Sequence, residues 1–149
     1  SILTVLNFAG NAVAADITGY SGVNLNIRSG PSTRFPPVAV LGAGSEVRIH
    51  GCVSRYTWCD VSASGARGWV SGAHIQFIHE ARRVYVPAYA AHAEIPVITF
   101  DLTTYWGDYY RDRDFYAQYD TWRNYHWEEE GPPPGWRDNW DDTYDSHEY

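Results

Sequence analysis

Val23, Leu25 and Ile27 alternate with Asn24, Asn26 and Arg28, the period of two expected of a strand with one buried face. Ser29-Gly30-Pro31-Ser32-Thr33 then interrupts it: glycine tolerates positive φ, and proline fixes φ and removes a donor. Similar short runs recur at residues 38–41, 46–53, 58–62, 68–70 and 74–78. Pro36-Pro37, Gly42-Ala43-Gly44 and Gly65 punctuate them. Short strands at this spacing predict an all-β fold, a small barrel of five to seven strands. Its expected core is Val23, Leu25, Ile27, Val38, Val40, Leu41, Val47, Ile49, Val61, Val70 and Ile75.

The pattern changes towards the C-terminus. Residues 82–87 read as a final edge strand ended by Pro87, and residues 95–100 as an apolar stretch that lies along the barrel or pairs with it. Residues 103–149 contain no Val, Ile, Leu or Met in 47 positions, yet hold fourteen aromatic and sixteen charged residues. Without aliphatic side chains such a segment builds no ordinary close-packed core, and it is too aromatic for a plain solvated linker. It therefore reads as a largely irregular extension with room for one short helix. Phe115, Tyr119, Trp122 and His126 recur at helical spacing and place that helix over residues 112–125. Glu128-Glu129-Glu130-Gly131-Pro132-Pro133-Pro134-Gly135 ends it, with polyproline II and then disorder expected beyond.

Charge divides the chain in the same place. Residues 1–80 carry five Arg and four acids, whereas residues 81–149 carry six Arg and fourteen acids. An acidic, lysine-free chain is a poor counter-ion for phosphate, which argues against nucleic acid. The apolar run from Ile2 to Gly10, followed by Ala12-Val13-Ala14-Ala15, reads as the back half of a secretory signal over residues 1–15. An N-terminal strand of the folded domain is the alternative. Export makes the product periplasmic or secreted, and no later stretch is long and apolar enough for a stable membrane span. An oxidising compartment would let Cys52 and Cys59 pair across a hairpin, closing a loop worth about 2.5 kcal/mol. Two buried thiols are the other reading. If Val47 and Ile49 point inward, strict alternation turns Cys52 outward, so a disulfide requires one inserted residue, most easily at Gly51.

The opening N-L-N-I-R-S-G-P-S-T, the A-G-S-E-V middle and the G-W-V close resemble the bacterial SH3-like (SH3b) domain across residues 17–78. The resemblance implies an SH3-like barrel over residues 16–80, a transition segment over 81–102 and the aromatic-acidic tail over 103–149. It also implies binding rather than catalysis. Trp58 and Trp69 match aromatic positions that recur in the family, which leaves two readings. Each packs over an end of the barrel, or one of them lines a shallow groove with Tyr56, where Asn26 and Arg28 hydrogen-bond to a ligand.

The resemblance favours cell-wall peptide or glycan as partner; a periplasmic protein on which the tail orders is the alternative. The amidases and endopeptidases often fused to such modules use a Cys/His pair or a zinc site, and neither is legible here. The chain therefore reads as no enzyme, with no cofactor. A calcium loop on Asp141, Thr143 and Asp145 would end before its last ligand position, so no metal site is expected.

Overall fold

The computed structural model describes residues 17–124. The expected signal segment, the polyproline run and the acidic terminus lie outside the described residues. Eight strands form the scaffold: β1 (Ile17–Ser21), β2 (Leu25–Arg28), β3 (Pro37–Leu41), β4 (Glu46–Cys52), β5 (Trp58–Ala63), β6 (Ala66–Ser71), β7 (Ile75–His79) and β8 (Arg82–Tyr85). All pair antiparallel in one sheet of order β3-β2-β6-β5-β4-β1-β7-β8. The sheet is open. β3 and β8 are its edges, so an eight-stranded sheet stands where a closed barrel of five to seven strands was expected.

Most of the sequence pattern reappears as packing. Nine of the eleven expected core residues are buried; Val40 is exposed on edge strand β3, and Val23 is half-buried ahead of β2. The strand pattern missed β1, whose Ile17-Thr18-Gly19-Tyr20-Ser21 carries little apolar alternation. Gly19 is close-packed there: a Cβ would come within 2.8 Å of the Ile49 side chain and 3.0 Å of the Gln76 carbonyl.

The hairpin of β4 and β5 shows the parity change that the cysteines demand. Ile49 pairs with Val61 and Gly51 with Asp60, which leaves His50 as the inserted residue of a bulge. Cys52 then lies opposite Cys59, and the two form a fully buried disulfide. The transition segment closes over it. The Cys52 N–H donates to the Pro96 carbonyl at 2.9 Å, and the Ile98 N–H donates to the Cys52 carbonyl at 2.7 Å.

Three helices follow β8: α1 (Val86–Tyr89), α2 (Leu102–Tyr109) and α3 (Tyr119–Arg123). The single helix expected over residues 112–125 is instead a 3-10 turn, Asp114–Gln118, followed by α3. The α2 helix was not expected. Asp101 caps it, accepting from the Thr103 N–H and the Thr104 hydroxyl. Rings replace the missing aliphatics: Trp106, Tyr110, Phe115 and Trp122 are all buried. Phe35 stacks on Trp122 at 4.8 Å and meets Trp106 edge-on at 6.4 Å, and Phe115 continues the cluster, 4.9 Å from Trp106 and 5.5 Å from Tyr110. The described part of the extension is thus packed against the sheet rather than irregular.

Candidate functional site

Successive side chains of a strand point to opposite faces, so a strand buried at every position is covered on both sides. All four residues of β2 are buried, as are Cys59-Asp60-Val61 of β5 and Gly68-Trp69-Val70 of β6. One face looks into the aliphatic core. The other lies under α2 and Phe100. Gly68 is needed at this crossing: a Cβ would meet the Arg28 carbonyl at 2.6 Å and the Tyr110 hydroxyl at 3.1 Å.

This two-sided cover decides the fate of the expected ligand residues. Arg28 pairs in register with Trp69 but is 2% exposed, and its Nη1 donates to the Phe35 carbonyl at 3.0 Å. Trp69 is 1% exposed, with its ring 5.6 Å from Phe100 and 5.7 Å from Tyr105. Asn26 is fully buried. These three do not line an open groove as expected, because the extension occupies the face they share. Tyr56 and Trp58 remain half-buried at the surface, at the β4–β5 turn.

A polar clasp fastens α2 to the sheet. Arg67 donates twice to Asp60, Nε to Oδ1 at 2.8 Å and Nη2 to Oδ2 at 2.7 Å, the bidentate geometry that suits guanidinium and carboxylate. The Tyr105 hydroxyl donates to Asp60 Oδ1 at 2.5 Å, and the Tyr110 hydroxyl to the Arg67 carbonyl at 2.7 Å. The Arg67 guanidinium also lies 4.7 Å from the centre of the Tyr109 ring. Burial pushes both tyrosine pKa values well above the ordinary phenol range; nearby negative charge adds to the rise at Tyr105. The hydrogen bond to Asp60 raises the Arg67 pKa further. Nothing in this network is poised to give up a proton at neutral pH. Its chemistry is attachment.

The open surface at the turn that holds Tyr56 differs. A shallow groove of about 280 Å³ is lined by Pro31, Val53, Ser54, Val97, Ile98, Thr99 and Phe100. Val97 is 58% exposed beside it. Val53 and Ser54 belong to the same turn as Tyr56, and the Tyr56 N–H donates to the Val53 carbonyl at 2.9 Å. In that turn Arg55 and Tyr56 both hold positive φ, 64° and 56°. A Cβ disfavours this conformation by roughly 1–3 kcal/mol per residue, and such strain clusters at functional sites. Among the described residues, no three His, Cys, Asp or Glu side chains gather in a metal-binding group.

Residues 23–76 match the family of the bacterial SH3 domain. The chain carries a bacterial SH3 domain. The match runs from just before β2 into β7, so it contains the disulfide, Tyr56, Trp58, Trp69 and the clasp residues Asp60 and Arg67. The SH3 domain thus supplies the sheet side of the clasp, and the extension outside the match supplies the other side. No curated protein matches the chain. No described helix is long and apolar enough to cross a membrane.

Sequence reasoning missed the groove and the clasp for one reason. Both depend on residues 97–110: up to Phe100 the stretch reads as apolar without showing what it walls, and from Thr103 no aliphatic marks a buried face. Leu102, Trp106 and Tyr110 recur at intervals of four, a signal that would have revealed α2 had aromatics been counted as its apolar stripe.

Proposed function

We propose that this chain is a non-catalytic binding module, exported to the periplasm or beyond the cell, that holds cell-wall peptide or glycan. The bacterial SH3 domain supports a binding role, often directed at the wall. The observation that carries the reading further is the apolar groove between residues 53–54 and 97–100, placed next to the strained turn that holds Tyr56. Apolar walls suit the ring faces of sugars and the alkyl parts of short peptides, and Tyr56 and Trp58 offer aromatic faces for stacking beside them. A groove this shallow gives weak, wet binding, dominated by one or two stacked rings and a few hydrogen bonds. The rival reading, in which the aromatic tail orders on a partner, loses support for residues 102–123, since these already pack on their own sheet.

Pull-down on purified sacculi tests the assignment with wild type, Trp58→Ala and Val97→Asp. Both substitutions sit at least partly at the surface and leave the core intact. At least a fivefold loss of recovery is expected for each. Equal recovery of folded variants and wild type withdraws the groove.

A further inference from the structure

The way the extension docks resembles the way a domain grips a peptide. Three of its side chains donate to backbone carbonyls of the sheet and its β2–β3 loop: Trp106 Nε1 to Ser29 at 2.9 Å, Tyr110 to Arg67 at 2.7 Å and Arg113 Nη2 to Val38 at 2.9 Å. Its rings fill the space over Phe35 and Trp69. Yet the fit is incomplete beneath it. The Trp69 indole N–H and the Ser29 hydroxyl are buried and find no hydrogen-bond partner among the described residues. Buried donors left unsatisfied are uncommon and call for an explanation. Trp69 belongs to the face that the extension covers, Ser29 lies at its margin where Trp106 reaches its carbonyl, and Phe100 joins that face to the open groove by touching Trp69 while lining the groove.

We propose that this covered face, Trp69, Phe35 and Ser29 with Arg28, is a second ligand site, and that residues 102–123 are its displaceable cover. When the cover lifts, the groove continues across Trp69, and its indole N–H and the Ser29 hydroxyl meet acceptors on the incoming ligand. Amide and carboxylate oxygens of a wall stem peptide have the required chemistry. The inference deepens the wall-binding reading and rests on it for the ligand, though not for the opening. Fixing some twenty residues offsets much of what ring burial contributes, so a low-energy opening of the unit is physically reasonable.

Hydrogen exchange on the full chain, wild type and Tyr105→Phe, with and without purified muropeptide, tests both halves. Amides of α2 are expected to exchange at least a hundredfold faster than those of β4 and β5. Losing the hydroxyl bond to Asp60 should speed α2 exchange about tenfold and leave β4 and β5 unchanged. Muropeptide affinity should rise by the same factor, since apparent affinity scales with the open fraction. Exchange of α2 only together with β4 and β5 overturns the cover. Unchanged affinity alongside faster α2 exchange overturns the covered site. If neither protein binds muropeptide while exchange responds as expected, the cover stands and the wall ligand is withdrawn.

Discussion

Raising the pH above 9 should weaken this protein through two named hydroxyls. Tyr105 and Tyr110 are held neutral in the folded chain because burial raises both pKa values, with negative charge nearby adding to the effect. In the unfolded chain each ionises near 10. A group whose folded pKa is raised contributes stability that is full below the unfolded pKa and is lost as pH climbs towards the folded one. The unfolded state therefore binds fewer protons above pH 10, and stability falls with pH. Each tyrosine contributes a limiting slope of about 1.4 kcal/mol per pH unit, so the pair approaches about 2.7 kcal/mol per unit near pH 11. Below pH 9 this pair adds no slope. Urea unfolding followed by tryptophan fluorescence from pH 8 to 11 measures it, and with both cysteines in the disulfide no free thiol confuses the alkaline range. Tyr105→Phe should halve the slope, and the double variant with Tyr110→Phe should remove this contribution. Flat wild-type stability between pH 9 and 11, or an unaltered slope in the double variant, refutes the placement of these hydroxyls.

Reduction of the Cys52–Cys59 disulfide should cost about 2.5 kcal/mol by the chain-entropy relation, read as a drop in urea midpoint under reductant. Phe35 is fully buried under Trp106 and Trp122, so Phe35→Ala should cost about 3–5 kcal/mol in the same assay. Glu80 and Ala81 both hold positive φ between β7 and β8, at 51° and 63°. Replacing the pair with Asn-Gly should raise stability by about 1 kcal/mol, whereas no gain would show the turn to be unstrained. Asp60→Ala strands Arg67, which is about a quarter exposed and can rehydrate in part; a loss of about 2–3 kcal/mol is expected, measured by thermal unfolding.

What the sequence made legible divides along the chain by the kind of apolar residue. In the first half, aliphatics alternating with polar residues mark faces clearly, and Leu25, Ile27, Val47, Ile49 and Val61 all lie in the core. Even the bulge beside Gly51 followed from parity once a disulfide was assumed. Arg28 misled because residue type was read as exposure, whereas Trp69 takes the packed one of its two readings. A guanidinium on a strand normally reaches solvent, but here the Phe35 carbonyl accepts from it under a layer of rings. That layer comes from residues 102–123, whose tertiary role no local pattern states: tyrosine and tryptophan can be surface or core, and only contact with Phe35 and the clasp decides. The open sheet likewise depends on β3 and β8 standing at opposite edges without pairing to each other, which strand signals alone do not specify.

The most direct measurement is a two-dimensional NMR titration of the isotope-labelled chain with purified muropeptides. Wall binding at the groove predicts saturable shift changes centred on residues 53–58 and 97–100, with weaker changes across α2 as this cover lifts. No shift at millimolar ligand, or changes confined to β8 and α1, contradicts it.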